Sequence, residues 1–588
     1  MAQLAAMRTP EEICCVVTVF KATEDFMCID RDGIQEEALD LSISQSDEAS
    51  LSPRAALARP CEPWSCSGVV LNSQTGITVC HGLIFTPFLL NKDMDLSGCQ
   101  FLLPENFSKQ LQIEIQFSDA VPPEFVTARQ KNHTVNQCSG KTYRKTRPQL
   151  NPLPQKAELL MLVPCLEFQE TFQKMFNKSD KWQFYNEQDD FELKELQNDI
   201  QFLHWFAVLK VPGFLKKEAG AMPWLAATSL RKADLVFACG SPFGSLCPDI
   251  FMNTLSKGIV SNLAGEGNAV ILTDARCLPG TEGGGLFLKK GGHFYLVGLI
   301  VSPLYWKASE WIGLTLVCSV GHIFKNMRRF VTEHDPSFKE IWPPIPMDRT
   351  LALPSQVKIK FALSHPSVVL VECGQFWGSG VLINSRLMLT CRHVLNEATR
   401  VTVKSNTTYE SFFSVVGQVI FSTKKYSAYD IAVVQLQTDF PDNTVCELAS
   451  SFSPGEDVLV VGFGVFGQSC GPSVTAGILS RVITCDSRPV MLQTTCAVHA
   501  GASGGAVLRA GTGELLGIVC SNTRDTAAGV TYPHLNFSIP VTVLQPLLNK
   551  YALTEDGGVF EELDRASDVV RDVWRLHSPN CQAPRSKL

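Results

Sequence analysis

The sequence predicts a mainly β protein made of two tandem copies of one plan, each a pair of β-barrels, followed by a short helical tail. The chain has 588 residues, too many for one hydrophobic core. Short apolar or alternating strands separated by glycine turns fill residues 357–540, a pattern typical of all-β barrels. Four landmarks of this region recur in the same order in the first half, which indicates an internal duplication.

The repeat is clearest where residues 67–73 (SGVVLNS) match residues 379–385 (SGVLINS). Carried forward without a gap, this register places His81 opposite His393. Three further pairs follow in order: Trp205–Leu209 with Asp430–Val434, Cys239–Gly244 with Val461–Gly467, and Pro279–Gly284 with Ala500–Gly505. We therefore expect both halves to share one fold.

Composition predicts where the parts begin and end. Residues 1–335 are expected to form the first unit, interrupted at about 127–198 by a polar insertion that is basic first and acidic later, as in a long loop. Residues 336–355 are rich in proline and are predicted to be a stiff linker. Residues 356–550 are expected to form the second unit.

The tail, residues 551–588, is predicted to be helical. It follows a helix expected over Pro540–Tyr551. Four apolar residues then recur at helical spacing, as in an amphipathic helix packed on the body: Phe560, Leu563, Val569 and Val573.

The chain ends in Ser586-Lys587-Leu588. This tripeptide, at a free carboxyl terminus, is the signal read by the peroxisomal import receptor. We therefore expect that receptor as a partner and the peroxisomal matrix as the location.

Composition also argues against several classes of function. The formal net charge is −7 and there is no long basic block, so nucleic acid is not an expected partner. No apolar run is long enough to span a membrane, and acids near the N-terminus argue against a secretory signal. The 21 cysteines are scattered without metal-ligand spacing, so we expect reduced thiols, no metal and no other cofactor.

The run Gly501-Ala502-Ser503-Gly504-Gly505 carries the strongest chemical signal. A Gly-x-Ser-Gly-Gly loop presents a nucleophilic serine on a tight turn, because glycine lets the backbone curl. Backbone N–H groups then point at one spot, and we expect those of Gly501 and Ser503 to form an oxyanion hole.

Two partners precede this serine in the chain. His393 follows an apolar strand, where it can act as the base, and Asp430 stands at the start of another, where it can hold the imidazole in the required tautomer. The order His, Asp, Ser is that of chymotrypsin-type double barrels. The sequence therefore predicts a catalytic triad in the second unit.

The first unit is predicted to be inactive. Trp205 stands at the position of Asp430 and cannot accept a hydrogen bond from a histidine N–H. Glu282 stands at the position of Ser503 and would put negative charge beside the oxyanion site. We interpret His81 as a structural remnant.

Both halves resemble trypsin-like proteases of the Deg/HtrA kind. The resemblance rests on Gly240–Gly244 (GSPFG), followed by Leu255–Ser261 (LSKGIVS), and on Thr273–Arg276 (TDAR) before the Glu282 loop. It implies two trypsin-like double barrels. With the terminal tripeptide, nearly the whole chain resembles peroxisomal members of this group. That implies an endopeptidase that removes targeting leaders from imported matrix enzymes, often after cysteine, and that cleaves itself in its N-terminal region. Cys138 is the candidate self-cleavage site.

The chain departs from trypsin at two positions. Ala502 replaces the aspartate that pairs with a freed N-terminus in trypsin-like zymogens, so that ion pair is not available. Ala497 replaces the acid that selects arginine or lysine. A small, weakly polar substrate pocket is therefore expected, lined by these residues: Ala497, Val498, Cys520, Ser521 and Asn522. His499 is either a pocket group or, in the simpler interpretation, a turn histidine bonded to the backbone.

Two other functions stay open at this stage. The chain is alternatively a catalytically silent peroxisomal adaptor built from protease-like folds, since one half has already decayed. An esterase with the same triad would leave the duplicated protease pattern unexplained. The sequence also leaves homo-oligomerisation open.

Overall fold

The structure is a computed structural model that describes residues 9–22, 63–91, 96, 99–118, 153–176, 182–183, 201–212, 221–246, 248–307, 310–333, 367–408, 411–440, 446–465, 467, 470–525 and 530–575. The predicted linker at 336–355, Cys138 and residues 586–588 lie outside these ranges.

Strands dominate both halves. Those described in the first half are β1 Cys14–Lys21, β2 Trp64–Asn72, β3 Ile77–His81, β4 Leu111–Phe117, β5 Gln155–Pro164, β6 Trp182–Gln183, β7 Trp205–Lys210, β8 Leu235–Gly240, β9 Thr254–Ala264, β10 Val270–Thr273, β11 Gly285–Lys290, β12 His293–Lys307 and β13 Glu310–Ser319. Those described in the second half are β14 Val368–Cys373, β15 Phe376–Leu382, β16 Leu387–Thr390, β17 Arg400–Thr408, β18 Ser411–Ser422, β19 Ala432–Leu436, β20 Asp457–Gly462, β21 Ser473–Cys485, β22 Arg488–Thr494, β23 Ala506–Arg509, β24 Leu515–Asp525 and β25 Val530–Pro540.

The α-helices within the described ranges are α1 Pro10–Ile13, α2 Leu166–Met175, α3 Pro248–Phe251, α4 Val320–Glu333, α5 Arg392–Leu395, α6 Val541–Thr554 and α7 Asp568–Trp574. Short 3₁₀ segments are Gly82–Phe88, Pro104–Asn106, Ala227–Ser229, Glu266–Asn268 and Gly557–Arg565. Among the helices described, none has both the length and the apolar character needed to cross a membrane.

The second half consists of two closed antiparallel barrels, with strand orders β14-β15-β16-β19-β18-β17 and β20-β21-β22-β25-β24-β23. Inward-facing apolar residues of both barrels form one continuous core, which includes Leu389, Val433, Val460 and Ile518. Filling a small barrel with side chains in this way removes sheet edges and leaves the connecting loops to carry function.

The first half repeats this arrangement. Its first barrel has the order β1-β2-β3-β7-β5-β4, and its second runs β8-β9-β10-β13-β12-β11, closed by the β11–β12 pairing, with β6 added beside β12. In all four barrels the strands follow the same relative order, so the two halves are copies of one double-barrel plan. The predicted fold class, mainly β with two tandem double barrels, is confirmed.

The predicted loop at 127–198 is wrong in part. Gln155–Pro164 form a barrel strand between β4 and β7, and Leu166–Met175 form a helix. The run Leu159–Val163 is largely buried, and burial of its apolar side chains stabilises the strand. The prediction averaged charge over the whole segment and so missed this short apolar run.

The tail packs on the body in two helical pieces instead of one. Phe560 and Leu563 are buried, as predicted, within a 3₁₀ segment. Ser567 then starts a new helix by accepting a hydrogen bond from the Val570 N–H. The restart changes which residue faces inward, so Val570 is buried and Val569 is 63% exposed.

Candidate active site

The loop between β22 and β23 holds Ser503 on a turn that requires glycine at two positions. Gly501 has φ +89° and Gly504 has φ +84°. A Cβ added at Gly501 would collide with the Trp377 indole, and one at Gly504 would collide with the carbonyl of Ser379. Both glycines are therefore needed for backbone conformation and for space.

Ser379 on β15 braces this loop, a role that the sequence analysis missed. Its hydroxyl donates to the Gly501 carbonyl at 2.8 Å and accepts from the Phe463 N–H at 2.8 Å, while its N–H donates to the Ser503 carbonyl at 2.9 Å. The sequence signal for this role was the Ser-Gly-Val segment, which recurs at Ser67 and Ser379.

The N–H groups of the loop divide into used and unused donors. Three are satisfied within the protein: Ala502 donates to the His499 carbonyl at 3.0 Å, Gly504 to Val519 at 2.8 Å and Gly505 to Ala502 at 2.9 Å. The N–H groups of Gly501 and Ser503 have no acceptor among the residues that the structure describes. Two unpaired donors beside a hydroxyl are the elements of an oxyanion hole.

His393 lies on the short helix α5, immediately after β16, and Asp430 lies just before β19, which pairs with β16. The imidazole Nδ1 is 2.5 Å from Asp430 Oδ2, and the His393 backbone N–H donates to Oδ1 at 3.1 Å. The carboxylate therefore fixes both the ring orientation and its tautomer, which leaves Nε2 to act as a base.

Asp430 is held in its charged form. Burial by itself would raise the pKa of this carboxyl, but hydrogen bonds from His393 and the nearby Arg392 charge outweigh burial and lower the pKa. Arg392 Nε is 3.5 Å from Asp430 Oδ1. An ionised Asp430 can stabilise the imidazolium that forms when His393 takes a proton.

Cys520 connects Ser503 to this pair. The Ser503 hydroxyl donates to the Cys520 carbonyl at 3.3 Å, while the Cys520 thiol lies 3.7 Å from the Asp430 carbonyl. The hydrogen bonds of the described residues do not include one from Ser503 to His393. For proton transfer the hydroxyl must leave the carbonyl and turn to the imidazole, a rearrangement common when substrate binds.

One group of described residues has the donor types for a metal. Single ligand atoms of Cys391, His393 and Asp430 all lie within 4.8 Å of one another. Contact with the Cys520 thiol and burial raise the pKa of Cys391, so the thiolate form that metals bind is disfavoured.

Three of the five predicted pocket residues have described side chains. Ala497, Val498 and Cys520 are buried, and the Val498 N–H donates to the Pro533 carbonyl at 2.9 Å. Ser521 and Asn522 continue β24, but their side chains lie outside the described parts. The pocket assignment stays a prediction.

His499 is a turn histidine bonded to the backbone, the simpler of its two expected roles. It is buried, and its Nδ1 accepts a hydrogen bond from the Val465 N–H at 3.3 Å. The imidazole also abuts Gly464, where an added Cβ would collide with the ring. His499 therefore ties the nucleophile loop to the loop after β20.

Comparisons with known proteins identify the domain that carries these residues. Residues 378–518, which include all three predicted catalytic residues, match the family model of the trypsin-like peptidase domain. The chain is 44% identical to the "Peroxisomal leader peptide-processing protease" of Mus musculus, over 89% of this chain and 94% of that protein. It is also 44% identical to the Homo sapiens protein of the same name, over 90% of this chain and 95% of that protein.

The chain belongs to the peroxisomal leader peptide-processing protease family. Solved structures offer only weak likenesses. Rv3671c from M. tuberculosis, in an inactive mutant form, is 20% identical over 32% of this chain and 88% of that chain, with a TM-score of 0.26. The HtrA-type protease AlgW is 22% identical over 33% of this chain and 64% of that chain, with a TM-score of 0.28. The fold assignment rests on the barrels themselves.

The first half of this leader peptide-processing protease homologue contains a second nucleophile-type loop. Gly280 and Gly283 repeat the positive φ angles of Gly501 and Gly504, at +94° and +80°. Ser67 braces the loop as Ser379 does, with its hydroxyl donating to the Gly280 carbonyl at 2.8 Å. The first half therefore keeps the backbone conformation of the nucleophile loop, although glutamate replaces the serine.

Glu282 fills the oxyanion hole of this inert half. Its carboxylate accepts the Gly280 N–H at 2.7 Å and also bonds its own backbone N–H. The equivalent donors at Gly501 and Ser503 have no acceptor in the described part of the chain. Burial raises the pKa of Glu282 to about 7 despite these two bonds. The sequence predicted that Glu282 would place negative charge beside the oxyanion site. In the structure its carboxylate occupies that site.

The expected correspondence of His81 with His393 in the internal repeat is wrong. In the first half, Val69 pairs with Val79 across the β2–β3 hairpin. In the second half, Val381 pairs with Leu389 across the β15–β16 hairpin. The β2–β3 hairpin is therefore two residues longer. Position 393 therefore corresponds to residue 83, a leucine, and His81 corresponds to residue 391.

His81 instead supports the local fold. It is fully buried, its Nδ1 accepts the Leu83 N–H at 3.2 Å, and its Nε2 lies 3.2 Å from the Leu203 carbonyl. Burial lowers its pKa to about 4, so it is neutral. It is a structural residue and not a remnant of the catalytic one.

The correspondence of Trp205 with Asp430 holds in the strand register. Ala207 pairs with Cys80 on β3, as Ala432 pairs with Thr390 on β16. Trp205 is fully buried in the first barrel. An indole there fills core volume and offers no acceptor for a histidine.

Proposed function

We propose that this chain is a peroxisomal serine endopeptidase that removes N-terminal leader peptides from imported matrix proteins. Ser503 is the nucleophile, His393 the general base and Asp430 the group that orients it. The observation that carries the proposal is the contrast between the two halves. Among the described residues the Gly501 and Ser503 N–H groups have no acceptor, whereas the same donors in the first half hold the carboxylate of Glu282.

The reaction follows from this arrangement. Nε2 of His393 takes the Ser503 proton as the hydroxyl attacks the scissile carbonyl, and the Asp430 carboxylate stabilises the imidazolium. The N–H groups of Gly501 and Ser503 hold the oxyanion of the tetrahedral intermediate. His393 then gives its proton to the leaving amine, and water hydrolyses the acyl-enzyme by the same route.

Substrate and location are supported by two separate lines. The mouse and human relatives carry leader peptide processing and the peroxisome in their names. The terminal Ser586-Lys587-Leu588 is the type of signal that the peroxisomal import receptor binds. The small side chains at Ala497 and Val498 favour a short residue before the scissile bond, such as cysteine.

A fluorophosphonate probe tests the nucleophile, with Ser503→Ala as the control. We expect labelling of wild type and none of the variant, and a loss in kcat on the order of a millionfold. Folded wild type that fails to label would favour the alternative function, a silent adaptor. A matrix enzyme bearing its leader, incubated with the protease and sequenced at its new N-terminus, separates peptidase from esterase.

Self-cleavage at Cys138 is part of the proposal. This residue lies between β4, which ends at Phe117, and β5, which begins at Gln155. Because β4 and β5 are neighbours in one barrel, the fragments are expected to stay associated after cleavage. Denaturing mass analysis of purified protein should show a new terminus near Cys138 that Ser503→Ala lacks, and an intact segment in active enzyme would refute it.

A further inference from the structure

The nucleophile loop of this chain lacks its own electrostatic anchor. Ala502 stands directly before Ser503 and is buried, so no carboxylate at that position can form an ion pair. The loop nevertheless has its two oxyanion donors in place. Ser379 braces the loop from within the second half, and further described contacts lead from the loop to the inert first half.

The first connection runs through the loop that follows β20. Lys232 of the first half is half-buried, and its ammonium donates to the carbonyls of Cys470 at 3.1 Å and Pro472 at 2.7 Å. Asn262 donates to the Gly471 carbonyl at 3.3 Å and to the Ser473 hydroxyl at 2.9 Å. Two first-half side chains thus fix four consecutive residues of the second half.

The same loop reaches the nucleophile. Its Val465 and Cys470 are buried in the hydrophobic core of the first half. The Val465 N–H donates to His499, whose carbonyl in turn accepts the Ala502 N–H. Val465 and Cys470 thus both pack in the first-half core, and hydrogen bonds lead from Val465 to the residue before Ser503.

A second connection lies on β21, whose Thr475 hydroxyl donates to the carbonyl of the predicted pocket residue Ala497 at 2.8 Å. Asp274 of the first half is buried, and its carboxylate accepts the Ala476 N–H of β21 and the Ile259 N–H of β9, both at 2.7 Å. Such charge-assisted bonds are stronger than neutral ones. One carboxylate therefore joins a strand of each half.

The third connection is steric. Gly313 of β13 has φ +70°, and a Cβ added there would lie 3.1 Å from Pro533, 3.2 Å from His534 and 3.4 Å from Ala497. Ala497 is six residues before Ser503, at the predicted base of the pocket. The inert half therefore backs the wall of that pocket.

We propose that the first half acts as a built-in brace, with Lys232, Asn262, Asp274 and Gly313 holding the Ser503 loop and its pocket in the active conformation. The brace takes over the task that an ion pair performs in trypsin-like zymogens, and it deepens the proposed function on which it rests. These four are positioning residues, since they act through the loop and do not touch substrate.

The test compares full-length variants. Lys232→Met keeps the aliphatic stem and removes the donors, Asp274→Asn removes the charge, and Lys232→Arg restores a cation. Lys289→Met is the matched control, because Lys289 is an exposed first-half lysine set over the Phe294 ring. Circular dichroism and thermal unfolding establish that each variant is folded.

Two readouts decide the matter. In Lys232→Met and Asp274→Asn we expect fluorophosphonate labelling of Ser503 to slow at least about tenfold, with kcat falling more than KM changes. We expect Lys232→Arg to recover labelling and the control to match wild type. Hydrogen–deuterium exchange in peptides covering 499–505 should be faster in the first two variants.

The outcomes are distinguishable. Folded variants with wild-type labelling and wild-type exchange would overturn the brace, as would labelling that falls only in proportion to the unfolded fraction. A wild-type protein that never labels would instead remove the proposed function. In that case, faster hydrogen–deuterium exchange at 499–505 in the variants would support the brace, and unchanged exchange would overturn it.

Discussion

Glu282 provides a quantitative test of the duplicated site. Its carboxylate is buried in the oxyanion hole of the first half, and burial raises its pKa from 4.5 to about 7. A folded-state pKa above the unfolded value means that this group supports stability fully below about pH 4.5 and loses that support as pH rises through 7. Keeping the ionised carboxylate buried at pH 8 therefore costs about 3 kcal/mol.

The perturbation is Glu282→Gln, which keeps an oxygen acceptor for the Gly280 N–H and cannot ionise. We expect the variant to be more stable than wild type at pH 8, by up to about 3 kcal/mol, and the difference to shrink towards pH 5. Urea unfolding at pH 5, 6, 7 and 8 measures this, with the exposed Glu105→Gln as control. Equal pH dependence in wild type and Glu282→Gln would refute the assignment of a buried, titrating carboxylate.

Three further predictions concern the second half. Asp430→Asn should lower kcat by on the order of 10⁴-fold with little change in thermal stability, because an amide no longer holds the imidazole in the required tautomer; kinetics on a leader-bearing peptide measure this. Gly501→Ala should cost at least about a hundredfold in kcat/KM, because φ is +89° and a Cβ would meet an indole ring, whereas Gly511→Ala, with nothing within 4 Å, should keep full activity. Iodoacetamide should leave activity unchanged, because Cys391 is buried with a raised pKa, and inactivation that tracks its labelling by mass spectrometry would contradict a serine nucleophile.

Local chemistry made part of this protein predictable. Glycines at positions that need positive φ, apolar strands of barrel length and the order of His393, Asp430 and Ser503 all leave marks within a few neighbouring residues. The fold class followed from them. The hydrogen bond between His393 and Asp430 was also expected, since each residue stands at the end of a strand and the strands pair.

Strand register was not predictable in the same way. An ungapped alignment joined His81 to His393, but a hairpin two residues longer moved His81 into a buried place beside the Leu203 carbonyl. Loop length sets which residues oppose each other, and the matching sequence segments do not include that loop. The same limit applied to β5, whose apolar run was hidden in a charged segment.

By itself, the sequence determined that the chain is a duplicated double barrel with one intact set of catalytic residue types, because those properties depend on residue identity and short-range spacing. Only the tertiary structure decided that the Glu282 carboxylate occupies the first oxyanion hole and that Lys232, Asp274 and Gly313 contact the second half. The contacts between the two halves join residues roughly 200 positions apart. Their geometry depends on how whole barrels pack, and no local pattern encodes it.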